Sequence, residues 1–170
     1  MKFAAPVSRL GTESAFVVLA RAQALAAQGR NIVNLGIGQP DFRTPEHIVQ
    51  AGIKALQDGQ HGYTPANGLP ILREAVARDL SIRHGAMIDA EQVVIVPGGK
   101  PSIFFAVLMF GEPDAEIMSP DPGFPIYESV IRFSGARPVP IKLREETGFS
   151  FSADEILAQI KPKTRLIIVN

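Results

Sequence analysis

Residues 93–110 read VVIVPGGKPSIFFAVLMF, a strand, a glycine turn and a helix in succession. The β-branched run Val93–Val96 predicts a strand, and the apolar residues after the turn predict a helix. Gly98 and Gly99 stand at the junction, where backbone N–H groups can point at an anion, and Lys100 adds a positive charge. The segment predicts a phosphate site, and a strand-to-helix turn without a ligand is the open alternative. Neither dinucleotide nor P-loop spacing is present, which favours a phosphate ester or mononucleotide.

The residues that follow alternate between short apolar strands and helical segments. Strands are predicted at Val93–Val96, Glu116–Met118, Pro138–Ile141 and Arg165–Val169. Helices are predicted at Pro101–Phe110, at about 126–133 and after Ser152. Ser152 and Glu155 have the spacing of a capping box. The alternation predicts an α/β fold, in which buried parallel strands are joined by crossover helices.

The residues before this alternation are mainly helical in character. Helices are predicted at Ser14–Gln28, from an N-cap at Thr44 with Pro45 after it to Gly59, and from Pro70 to Gly85. Between the first two helices, an apolar run passes into glycine and proline. Gly36 and Gly38 are therefore predicted to adopt backbone conformations that a side chain would hinder.

A second candidate site is the loop SPDPGFPIYESV, residues 119–130, which follows a predicted strand. Loops at the carboxyl ends of α/β strands bind ligands, and the ring of Phe124 or Tyr127 could stack on a flat heterocycle there. Packing of both rings in the core is the alternative.

Composition and charge exclude several functional classes. Seventeen basic residues balance seventeen acidic ones, which argues against nucleic acid or an anionic membrane as partner. The absence of cysteine excludes disulfides and thiolate chemistry, and the three histidines lack metal-ligand spacing. The longest apolar run, Phe104–Phe110, is too short to span a bilayer, and no export signal precedes it. We expect no metal and a cytoplasmic location.

Five segments together resemble the class I/II aminotransferases of the fold type I pyridoxal-phosphate-dependent family. They follow the family order and spacing and are NLGIGQPDFRTPEHI (34–48), YTPANGLPILREAV (63–76), VVIVPGGKPSIF (93–104), SPDPGFPIYESVIRFSGA (119–136) and TRLIIVN (164–170).

The resemblance implies a role for each matching residue. Gly98, Gly99 and Lys100 would hold the phosphate of pyridoxal 5'-phosphate, and Phe124 would stack on its pyridine ring. The backbone of Gly38 would face the substrate carboxylate. Tyr63 matches a tyrosine that reaches the phosphate of the neighbouring subunit, which implies a homodimer.

The resemblance also implies the domain organisation. Residues 1–44 would form the N-terminal arm and helix of the small domain with its substrate-facing loop. Residues 45–170 would form the first half of the large cofactor domain, a mostly parallel, three-layer α/β/α structure that is incomplete at its C-terminal end.

The implied function is transfer of an amino group between an amino acid and a 2-oxo acid. The Schiff-base lysine of the family is expected beyond these 170 residues, so no catalytic residue is assigned and the chain alone is expected to be inactive. Two alternatives stay open: a non-catalytic ligand-binding module of aminotransferase type, and a lyase, decarboxylase or synthase on the same scaffold.

Overall fold

The computed structural model describes residues 2–11 and 14–170 of the chain. The described residues form helices and strands in the order α1 (Ser14–Ala27), α2 (Glu46–Gln57), α3 (Pro70–His84), α4 (Gly99–Phe110), β1 (Glu116–Asp121), α5 (Ile126–Ser134), β2 (Arg137–Lys142), α6 (Ala153–Gln159) and β3 (Thr164–Ile167). Short 3-10 helices lie at Ala5–Arg9, Ala90–Gln92 and Glu145–Thr147. The chain divides into two compact units, Met1–Ile37 with Gly98–Asn170, and Gly38–Pro97.

The first unit contains a parallel sheet with the strand order β2-β1-β3. β1 pairs with β2 from Glu116 opposite Arg137 to Asp121 opposite Lys142. β3 pairs with the other side of β1, with an irregularity in the register after Glu116. Because parallel neighbours cannot be joined by a tight turn, α5 connects β1 to β2 and α6 connects β2 to β3. This arrangement confirms the predicted α/β class and its parallel strands.

Helices cover both faces of the sheet because successive residues of β1 point to opposite sides. On one face Ile117 is fully buried with residues of α4 and α5; the cluster also contains Val107, Ala115, Val130, Ile131 and Ala136. On the other face Met118 packs with Ile141 of β2 and Ile156 of α6. The unit therefore has the predicted three layers.

The edge strand β2 contains two prolines, Pro138 and Pro140. The amides of Arg137 and Leu143 donate to carbonyls next to or within β1, at 2.8 and 2.9 Å. Since amides alternate in direction along a strand, the nitrogens of Pro138 and Pro140 face away from β1. Proline has no N–H to donate, so it costs β2 no bond to β1.

Two cross-strand ion pairs join β1 to β2, one at each end of their ladder. Arg137 bonds to Glu116 and Lys142 bonds to Asp121. The hydrogen bond from Arg137 is the main reason that the pKa of the buried Glu116 carboxyl lies below its usual value.

In the second unit, α3 follows the predicted bounds because both of its ends have strong local signals. Pro70 occupies the first helical position, where its missing N–H costs nothing. Gly85 follows the last helical residue with a φ of 61° and donates its amide to the carbonyl of Ser81. The preceding loop lies close to residue 95, because the amide of Ile95 donates to the carbonyl of Asn67 at 3.0 Å.

The predicted strand Val93–Val96 is wrong, because these residues do not form a strand. Their backbone groups bond elsewhere in the unit, since Arg73 Nε donates to the Val93 carbonyl at 2.9 Å and the Ile95 amide bonds to the loop before α3. A strand requires a neighbouring strand, and no other described segment pairs with this one.

Two predicted helix caps are also wrong. Pro45 is extended and occupies the N-cap position of α2, so Thr44 is one residue too early to cap it. Ser152 is the N-cap of α6, but its side chain makes no capping bond, and Glu155 pairs instead with Arg144 at 3.4 Å.

Candidate functional site

The turn before α4 requires a glycine at its first position. Gly98 has a φ of 83° and a ψ of 175°, a region that essentially only glycine adopts. α4 begins at Gly99, two residues before the predicted start at Pro101, so Lys100 lies in the first helical turn. The first amides of a helix have no partner within it, and a Cβ added at Gly98 or Gly99 would meet nothing within 4 Å. The turn therefore presents backbone donors next to open space.

Lys100 and Phe124, two of the predicted cofactor-binding residues, lie together in the first unit. Lys100 Nζ is 5.6 Å from the centroid of the Phe124 ring and 5.5 Å from that of Phe16 in α1. Both distances are within the range of a cation–π interaction. Phe16 was not predicted to belong to the site, because no local sequence pattern relates α1 to α4.

The two aromatic residues of the loop after β1 have different environments. Tyr127 is 6% exposed and packs in the core, which was the alternative to stacking on a ligand. Phe124 is 36% exposed, and its ring meets that of Tyr127 edge to face at a centroid distance of 5.8 Å and an angle of 89°. Tyr127 thus supports the Phe124 ring from within the fold, and Phe124 retains accessible surface.

A cavity of about 630 Å³ adjoins Lys100 in the same unit. Its walls come from the N-terminal segment, α4 and α5, and include Arg9, Gly11, Lys100, Phe104, Ile126 and Ser129. This volume lies in the range of small-molecule sites in proteins.

Gly38 and Tyr63 belong to the second unit, and their predicted roles stay predictions. Tyr63 is fully exposed on a loop. The expectation of hindered backbone conformations is wrong, since neither Gly36 nor Gly38 has a positive φ. A Cβ at Gly38 would meet nothing within 4 Å, and one at Gly36 would lie 3.2 Å from Asn34 Oδ1.

Within residues 2–11 and 14–170, no group of three or more His, Asp or Glu side chains is arranged to hold a metal ion. In the same part of the chain, no helix has the length and apolar character needed to cross a membrane.

Comparison with known proteins places this geometry in a family. The model of the family "Aminotransferase class I and II" matches residues 30–170. An aspartate aminotransferase of Streptomyces avermitilis is 36% identical over 98% of this chain and 41% of its own length. An arginine–pyruvate transaminase of Pseudomonas aeruginosa is 39% identical over 88% of this chain and 38% of its own length.

A solved structure agrees with the sequence matches. The aspartate aminotransferase of Thermus thermophilus with maleate superposes with a TM-score of 0.93 at 30% identity, over 100% of this chain and 44% of that one. This chain therefore spans about two fifths of the length of the relatives it matches. With a family match over residues 30–170 and the same fold, the chain belongs to the class I and II aminotransferases.

Proposed function

We propose that this chain is the cofactor-positioning part of a pyridoxal-phosphate-dependent aminotransferase, which transfers an amino group between an amino acid and a 2-oxo acid. Family membership supports the reaction class. The relatives are named for aspartate and for arginine with pyruvate, so the proposal leaves the amino-acid donor open. The activity is proposed for the whole protein, since the relatives are more than twice as long as this chain.

The observation that supports this proposal is the meeting of the α4 N-terminus with Phe124. A phosphate dianion fits the start of α4, because the helix dipole, the amides of Gly98 and Gly99 and the ammonium group of Lys100 all favour negative charge. The Phe124 ring lies 5.6 Å from that ammonium group, so an aromatic surface adjoins the anion site. A ligand with both a phosphate group and a flat ring suits this pair.

When bound, pyridoxal phosphate supplies an electron sink for the bonds at the substrate α-carbon. In our proposal, Gly98, Gly99 and Lys100 bind the phosphate and Phe124 packs on the ring. Tyr127 contributes by holding Phe124 edge-on, which limits the orientations available to the ring. Lys100 neutralises charge at the phosphate end of the cofactor. We expect no transamination by the chain alone.

The remaining parts of the proposal concern the second unit and the assembly. We propose that the backbone of Gly38 faces the substrate carboxylate, and its open surroundings leave room for a ligand. We propose a homodimer in which Tyr63 reaches the phosphate of the neighbouring subunit; its full exposure leaves the phenol available to a partner. The absence of cysteine fits the cytoplasmic location that we propose.

Binding of pyridoxamine phosphate and of pyridoxamine by the chain tests the site. Neither probe has an aldehyde, so neither reacts with surface lysines. Lys100→Gln removes a charge-assisted contact worth about 1.5–3 kcal/mol and should weaken binding of pyridoxamine phosphate at least tenfold, with pyridoxamine unaffected. Phe124→Leu should weaken both probes.

Lys54→Gln is the matched control, because Lys54 is an exposed helical lysine that pairs with Asp58 in the second unit. The control should bind both probes as the wild type does. Equal affinity of Lys100→Gln and wild type for pyridoxamine phosphate would contradict the assignment of the phosphate site.

A further inference from the structure

The N-terminal arm, residues 2–11, is attached to α5 by side-chain hydrogen bonds. Arg9 Nε donates to the carbonyl of Arg132 at 2.7 Å, and Arg9 Nη2 donates to the carbonyl of Phe133 at 2.9 Å. The amide of Gly11 donates to Ser129 Oγ at 2.9 Å. The arm is thus bonded to α5 at Ser129 and again at the end of the helix, at Arg132 and Phe133.

The end of α5 is a favourable place for a guanidinium group. The last carbonyls of a helix have no partner within it, and they form the negative end of the helix dipole. The carbonyl of Arg132 also accepts the amide of Gly135, which has a φ of 96°. Arg9 supplies two further donors and a positive charge at this end, so the arrangement is a helix C-cap made by a residue distant in sequence.

α1 follows the arm closely in sequence, and its residue Phe16 contacts Lys100 of the proposed phosphate site. α1 begins at Ser14, three positions after Gly11. Phe16, in the first turn of α1, has its ring centroid 5.5 Å from Lys100 Nζ. Because Phe16 is only five positions after Gly11, the length of the chain limits how far Phe16 can lie from the attached arm.

We infer that Arg9 is a positioning residue, which fixes the arm to the end of α5 and thereby places the Phe16 ring against the ammonium group of Lys100. Its significance for cofactor binding rests on the proposed function, in which Lys100 faces the phosphate. The structural link from Arg9 to Lys100 is independent of that function. The two statements are therefore tested by different measurements.

The link is tested by nuclear magnetic resonance of the chain with isotopically labelled lysine and without cofactor. Ring currents of Phe16 and Phe124 should shift the ε-methylene resonance of Lys100, assigned with Lys100→Arg, away from that of Lys54. Phe16→Leu defines the resonance position without the first ring. Arg9→Gln should move the Lys100 resonance toward that position.

Hydrogen exchange on the same samples reports whether the arm is released. Arg9→Gln should raise amide exchange at Gly11 about fivefold or more, the effect of losing roughly 1 kcal/mol of hydrogen bonding. Arg9→Lys, which keeps one cationic donor, should bring both the Lys100 resonance and the exchange at Gly11 part of the way back to the wild-type values. Arg30→Gln is the matched control, because Arg30 is exposed and its side chain makes no hydrogen bond or ion pair in the described part of the chain.

Far-UV circular dichroism checks folding. If Arg9→Gln does not fold, it is replaced by Ser129→Ala, which removes only the two hydrogen bonds between Ser129 and Gly11. An unchanged Lys100 resonance despite faster exchange at Gly11 would overturn the inference, as would unchanged exchange at Gly11. For the binding role, Arg9→Gln should lower affinity for pyridoxamine phosphate more than for pyridoxamine. An equal loss for both probes would refute that role, whereas failure of the wild type to bind either would refute the proposed function alone.

Discussion

Replacing Gly98 by alanine should destabilise the fold although the new methyl group has room. A Cβ at this position meets nothing within 4 Å, so no steric clash contributes to the cost. The cost comes from the backbone, whose φ of 83° and ψ of 175° are essentially restricted to glycine. Holding alanine there costs about 1–3 kcal/mol.

Gly99→Ala is a matched control in the adjacent position. Gly99 is the first residue of α4, has no positive φ and has equally open surroundings. Alanine is favoured over glycine in a helix by up to about 1 kcal/mol, so this variant should be as stable as the wild type or more stable. The two substitutions add the same methyl group one residue apart and should have opposite effects.

Urea unfolding followed by far-UV circular dichroism measures the difference. With a slope of about 2 kcal/mol per molar urea, Gly98→Ala should lower the midpoint by about 0.5–1.5 M, and Gly99→Ala should leave it unchanged or raise it. If both variants lose the same stability, or Gly98→Ala loses none, the backbone argument is refuted.

Three further outcomes follow from the structure. Gly68→Ala should destabilise the chain by at least about 2 kcal/mol in the urea assay, because φ is +102° and the added Cβ would lie 2.6 Å from Ile95 Cγ1. Gly85→Ala, which has open space and a φ of +61°, should destabilise the chain less, and equal losses of stability would contradict this reasoning. The Glu116 carboxyl has a lowered pKa in the fold, so its contribution to the stability of the fold is complete above about pH 4.5 and is lost as the pH falls through the folded-state pKa. Arg137→Met should flatten this part of the curve of stability against pH, and an unchanged curve would contradict the role of Arg137. Light scattering should show self-association at high concentration, because the accessible surface of 13187 Å² exceeds the roughly 9,700 Å² expected for two separately folded units of these sizes, and a monomer at every concentration would count against it.

Elements with strong local signals could be predicted closely from the sequence. α3 has proline at its start and glycine after its end, and both positions function as predicted. The strands β1 and β2 extend beyond their predicted ends by three residues or fewer, because a short apolar run identifies a strand better than its boundaries. The order of strands and helices was sufficient to identify the α/β class, since parallel strands require the intervening helices.

Two of the errors arose where a feature depends on a partner outside the local segment. Val93–Val96 has strand-like composition, but its backbone bonds go to Arg73 and to the loop before α3. Ser152 and Glu155 have capping-box spacing, but Glu155 pairs with Arg144, which no local pattern relates to it.

The candidate site shows the same division. Gly98, Lys100 and Phe124 could be selected from local composition and the family resemblance, and the structure brings Lys100 and Phe124 together. Phe16 and Arg9 could not, because their contacts with α4 and α5 join segments that are far apart along the chain.

The two prolines of β2 give the sheet a direction in which it can accept further strands. On its outer side β2 lacks two N–H donors, at Pro138 and Pro140, that an incoming strand would need. β3 contains no proline, so its outer backbone groups include all their donors. Any ordered strand addition, whether by a longer version of this protein or by a second molecule, should therefore occur beside β3. Pro138→Val with Pro140→Val would remove this asymmetry and make β2 a second place for strand addition, so the prolines protect the chain against misassembly at this edge.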